Sequence, residues 1–150
     1  MRFAPAAAVC ALALTASLTA CGGEGAVQAS PPEQASNPLC ARASRQWPTT
    51  VSGQKARKVT TKSSTVHAWG DPAIIARCGV ASPGPTATGC VSVDGIDWVG
   101  SKLSDGGRYI TYGRTPAIEV LVPTKYNSLP PLGAFTQAVR QIPQGTHRCS

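Results

Sequence analysis

The chain is poor in the groups that most enzymes use. It has two histidines, seven acidic residues and one methionine in 150 residues. Aromatic side chains are few: three Trp, three Tyr and two Phe. Catalysis needs convergent titratable groups with tuned pKa values, so this inventory leaves little to build from. No G-x-S-x-G elbow and no H-E-x-x-H motif occurs, which removes the most familiar hydrolase and zinc-protease arrangements. No two of the cysteines past residue 21 stand in a C-x-x-C spacing, which argues against a zinc site. Scarce aromatics argue against single-stranded nucleic acid, which is held largely by base stacking. No cofactor motif is present, and no internal repeat is visible.

Long apolar runs are also missing, with one exception of telling length. Residues Ala6 to Leu18 are almost wholly apolar and follow Arg2. A run of about 13 residues is too short for a bilayer, which needs roughly 20, and suits the core of an export signal. Leu18-Thr19-Ala20-Cys21, followed by Gly22-Gly23, resembles the bacterial lipoprotein box. The resemblance implies cleavage before Cys21, a lipid thioether on its sulfur, and residence on the outer face of the cell membrane. Residues 1–20 then read as a lipoprotein signal peptide. Residues 21–39 read as the lipidated cysteine and a flexible tether, because Gly, Ala, Ser, Pro and Gln cannot bury enough surface to offset their ordering entropy. Residues 40–150 read as one domain.

Cys10 leaves with the signal. Cys40, Cys78, Cys90 and Cys149 remain, and an even number in an exported domain reads as two disulfides. Three connectivities are possible. The one that suits the predicted elements joins Cys78 to Cys90 across a short inter-strand loop, and Cys40 to Cys149 across the domain ends.

Positive charge is concentrated near the anchor. Arg42, Arg45, Lys55, Arg57, Lys58 and Lys62 lie between Glu33 and Asp71 with no acid among them. Lys55, Arg57, Lys58 and Lys62 are the candidate surface-binding residues, toward anionic headgroups or an anionic wall polymer.

The patterning predicts strands over Thr65–Trp69, Ala73–Val80, Cys90–Val93, Ile96–Val99, Arg108–Tyr112 and Ala117–Val122. Asp94-Gly95 between alternating apolar runs is a strong hairpin signal. Leu132, Phe135, Val139 and Ile142 recur at helical spacing before Pro143. Residues 39–47 read as an entry turn and those up to about Ser64 as loop. The fold class is α+β: a small antiparallel sheet with a C-terminal helix packed on one face, held by two disulfides.

His67-Ala68-Trp69-Gly70-Asp71-Pro72-Ala73-Ile74, Arg77-Cys78-Gly79-Val80, Val93-Asp94-Gly95-Ile96-Asp97-Trp98, Tyr112-Gly113-Arg114 and Val120-Leu121-Val122-Pro123 stand in order along the domain. Together they resemble the actinobacterial lipoprotein family called domain of unknown function 3515. The resemblance implies an envelope lipoprotein with structural cysteines and brings no activity.

Two functional readings follow. The first is a non-catalytic binding or accessory module, anchored in the membrane through Cys21, whose partner is an envelope protein or a wall polymer. The second is a small cell-wall or lipid hydrolase using His67 and Asp71. Asp94 is expected in the hairpin turn and Asp97 on the solvent face of its strand. Glu119, set among apolar residues, is expected to pair with Arg77 or Arg114. Trp69 and Trp98 are expected in the core.

Overall fold

Asp94 and Gly95 both adopt positive φ, 51° and 75°, the backbone pair that a two-residue type I′ hairpin turn requires. That turn joins β5 (Cys90–Val93) to β6 (Ile96–Leu103). The computed structural model describes residues 25–86 and 88–150. The remaining elements are α1 (Pro38–Ser44), β1 (Thr50–Val51), β2 (Gln54–Arg57), β3 (Val66–Trp69), β4 (Ile74–Val80), β7 (Gly106–Thr111), β8 (Ala117–Pro123) and the single-turn α2 (Thr136–Val139).

The strands form one sheet in the order β1-β2-β3-β4-β8-β7-β6-β5, antiparallel throughout. The first four strands run inward from one edge. The loop 81–89 then carries the chain to the opposite edge, and β5 to β8 return as a meander until β8 docks beside β4. One face packs against the helices. Trp69, Ile74, Ala76, Trp98, Ile118, Val120 and Val122 are buried there with Leu132, Phe135, Val139 and Ile142. Phe135 meets Trp69 edge-on at 5.5 Å between ring centroids. The α+β class, the α2 packing and the core positions of both tryptophans agree with the sequence. The C-terminal helix is shorter than its apolar spacing implies: Leu132–Phe135 form a 3₁₀ turn before the one turn of α2.

The disulfides join Cys40 to Cys78 and Cys90 to Cys149, with Cα atoms 5.4 and 5.6 Å apart. This corrects the expected pairing of Cys78 with Cys90 and Cys40 with Cys149. The expectation took β4 and β5, consecutive in sequence, as neighbours. Three strands separate them, hence roughly 19 Å at ordinary inter-strand spacing, far beyond the ~7 Å that a disulfide tolerates.

Two further differences lie before β3. Residues 39–47 contain a helix rather than only a turn: Asn37 caps α1 by accepting from the Leu39 N–H at 2.9 Å, and Pro38 opens it, where its missing N–H has no cost. The expected loop contains a hairpin, β1–β2, turned by Ser52 and Gly53 at φ 50° and 71°.

The expected spacer is also shorter than residues 21–39. Residues 25–36 form a strap laid on the domain. Val27 bridges Val59 in parallel, with Val27 N–H donating to Lys58 O and Thr60 N–H to Val27 O. Gln34 N–H donates to Gly79 O. Backbone pairing, which composition does not encode, holds a segment with little apolar surface of its own.

Candidate functional site

His67 stands on β3 beside Ala76 of β4, its ring 4.7 Å from that of Trp69. It is half-buried, and burial lowers its pKa. With Trp47, Pro48, Val59 and Val66 it lines an open cleft of about 650 Å³. Asp71 follows β3 in an exposed turn. Its carboxylate pairs with Arg57 at 3.5 Å, and its carbonyl accepts from Lys125 Nζ at 3.1 Å. Asp71 lines a different cleft, with Gln54 and Lys55. The fold therefore does not bring His67 and Asp71 into one site.

The acids inside the sheet have other partners. Glu119 is fully buried between two arginines. Arg77 Nε and Nη2 both reach its Oε2 at 2.5 Å, and Arg108 Nε donates to Oε1. Arg77 is its direct cross-strand neighbour, while Arg108 is diagonal to it beside Leu121. Arg114, the other expected partner, instead donates to the carbonyls of Val139 and Ile142, where a cation satisfies carbonyls at the end of α2 and just past it. Burial lowers the Arg114 pKa, with Arg148 and Arg140 acting in the same direction and Asp97 opposing.

Asp97 was expected on the solvent face and is 8% exposed. It accepts from Ser92 Oγ and, at 3.0 Å, from the Cys149 backbone N–H. The Cys90–Cys149 disulfide brings the C-terminal tail over this part of the sheet, which removes the expected exposure. Asp94 occupies the turn as expected and also accepts from Thr136 Oγ1 at 3.4 Å. Asp94 and Asp97 thus serve different contacts and do not form a carboxylate pair.

The basic segment is divided by the fold. Lys55, Lys58 and Lys62 are exposed. Arg57 is a latch: its guanidinium donates to Gly70 O at 3.0 Å and to Gly25 O at 2.8 Å. Cys21 lies outside the described residues.

One site escaped the sequence reading. An open cleft of about 540 Å³ lies over β6 and β7, lined by Tyr109, Gly100, Ser101, Lys102, Thr124 and Asn127 among others. The Tyr109 ring lies close over two glycines: a Cβ on Gly100 would meet it at 3.0 Å and one on Gly107 at 2.8 Å. Its hydroxyl donates to Asn127 Oδ1 at 2.7 Å. Burial raises the Tyr109 pKa. The available signal was a tyrosine two residues past a glycine pair, in a strand facing Gly100, since strand glycines often mark close approach.

Among the described residues no group of His, Cys, Asp and Glu could hold a metal ion, and no helix is long and apolar enough to cross a membrane. The family described as "Protein of unknown function (DUF3515)" matches the chain over residues 3–146. No curated protein and no solved structure matches it.

Proposed function

The chain belongs to the DUF3515 family of proteins of unknown function, and we propose that it is a cell-envelope lipoprotein, acylated at Cys21, whose domain is a non-catalytic binding or accessory module. The lipoprotein box at Cys21 supports the anchor. The observation that carries the binding reading is the Tyr109 cleft. It offers an aromatic surface, a side-chain amide and the hydroxyls of Ser101, Ser104 and Thr124, with no imidazole or carboxylate among its lining residues. Such a surface, with Lys102 at its side, is suited to holding a polar or anionic ligand. The hydrolase reading lacks comparable support, because His67 and Asp71 occupy separate clefts.

Two measurements test this. The intact mass of the envelope-extracted protein should carry two or three acyl chains, and Cys21→Ser should abolish them; an unacylated Cys21 removes the anchor from the reading. A photo-crosslinking residue at Ser101, in the cleft, should capture one dominant envelope component that the same residue at exposed Gln137 does not. Identical products at both positions would sink the cleft as a binding site. A His67→Ala variant that folds normally yet loses function would favour the hydrolase.

A further inference from the structure

The strap changes how far an anchored domain can stand from the membrane. A spacer running to residue 39 would allow tens of ångströms. The chain is instead tied to the domain from Gly25 onward, where Arg57 Nη2 donates to Gly25 O. Only Gly22, Gly23 and Glu24 separate Gly25 from Cys21. Four residue steps span at most roughly 14 Å when fully extended. The strap also fixes where the chain leaves the domain. Val27 lies beside Val59 in parallel, so Gly25 lies level with Arg57, and the chain runs toward the Lys55 end of β2. Lys55 is exposed at this end, and Lys58 is exposed just past the other end of the four-residue strand. Lys125, exposed, reaches the same corner through Asp71 O. Asp71 is the acid at this corner, paired with Arg57; Glu24 lies on the link itself. Lys62 is exposed beyond the bends at Thr60 and Thr61.

We infer that this corner of the domain, with Lys55, Lys58 and Lys125, rests against anionic phospholipid headgroups, held there by the short link to Cys21. This rests on acylation at Cys21 as proposed above. A link of this length holds Gly25 within roughly 14 Å of Cys21, so the domain can approach the headgroups to within a Debye length, where each basic residue adds to its attraction.

The test couples Cys21 of the mature chain, residues 21–150, chemically to a maleimide lipid in vesicles, so it does not depend on acylation in the cell. Lysine acetylation is then read by mass spectrometry. Lys102 is the internal reference: it lies on β6, five strand spacings from β2, roughly 24 Å away. On vesicles containing phosphatidylglycerol, Lys55, Lys58 and Lys125 should acetylate several-fold more slowly relative to Lys102 than on pure phosphatidylcholine vesicles. Equal rates on both compositions overturn the inference. So does protection of the uncoupled chain by soluble polyglycerol phosphate but not by anionic vesicles, which assigns the surface to a wall polymer. The triple variant Lys55→Gln, Lys58→Gln, Lys125→Gln should lower partitioning of the uncoupled chain onto anionic vesicles by roughly 100-fold; unchanged partitioning counts against it. Protection by anionic vesicles together with an unacylated Cys21 in cells would separate failure of the anchor from failure of the surface.

Discussion

Glu119 shows how one side chain can be conspicuous in sequence and still have only one of its two partners named. A carboxylate amid Ala117-Ile118 and Val120-Leu121-Val122 must either face water or be paired, since a lone buried charge is prohibitive. The structure buries it completely and supplies two guanidiniums. Arg77 was a candidate from sequence alone, and the β4–β8 pairing makes it the direct cross-strand neighbour of Glu119. Arg108 was not, because β7–β8 register decides it. Removing one member of a buried pair costs about 3–5 kcal/mol. Arg77 and Arg108 keep 28% and 41% of their side-chain surface, so the cost here falls below that range. Glu119→Gln should lower stability by about 2 kcal/mol in urea titrations. Replacing Arg77, Glu119 and Arg108 together by apolar residues of similar volume should cost less than Glu119→Gln alone. His67 gives a second residue-scale expectation. Burial depresses its pKa, so folding favours the neutral imidazole. Its contribution is fully present above the unfolded-state value of about 6.5 and is lost as pH falls through the folded-state pKa. The melting temperature of a His67→Gln variant should therefore decline less than that of the native chain between pH 7.5 and pH 5, and equal declines would refute the assignment.

Among the elements, those with strong period-2 apolar alternation or marked turns were readable. The β5–β6 hairpin is the clearest, since Asp-Gly encodes its own turn. The β1–β2 hairpin used the same geometry through Ser52-Gly53, but its strands have exposed or half-exposed Gln54, Lys55 and Ala56 and so carry no alternating apolar signal. Strand order beyond that hairpin was not readable, and both disulfide assignments failed with it. Non-reduced peptide mapping should recover Cys40 linked to Cys78 and Cys90 linked to Cys149; a Cys78–Cys90 peptide would refute the strand order as well as the pairing. The Cys40–Cys78 bond spans 38 residues, and loop-entropy reasoning, itself model-dependent, assigns such a closure about 4 kcal/mol. Because this bond ties α1 to β4, the double variant Cys40→Ala, Cys78→Ala should raise hydrogen exchange first across Pro38–Ser44, and leave the β5–β6 hairpin protected.

For the whole molecule, the decisive question is whether residues 25–36 belong to the fold or merely precede it. Composition assigns them to a spacer. The structure gives them the backbone bonds to Lys58, Thr60 and Gly79, and lets Arg57 and Arg77 donate to Gly25 O and Ser30 O. Gly79 is shaped to receive them: it sits at φ 115°, and a Cβ there would approach Ala35 N to 2.4 Å. A glycine is needed here on both counts, because few L residues tolerate that φ and no side chain fits beneath the strap. Deleting the strap makes the Lys58 and Gly79 carbonyls, the Thr60 N–H and the Arg57 and Arg77 guanidiniums exchange these bonds for water, at a net of about 1 kcal/mol for each bond and less at exposed Lys58 and Thr60. A chain beginning at Asn37 should thus be less stable than one beginning at Gly25 by about 2 kcal/mol, read as a lower urea midpoint with little change in slope. Gly79→Ala in the longer chain should lose at least as much, through strain as well as lost bonds. In the shorter chain the strap is absent, so the same substitution should cost less, leaving only the φ penalty. That non-additivity separates a strap that is packed from one that is only tethered: a spacer would give equal midpoints for the two chain lengths and the same Gly79→Ala cost in both.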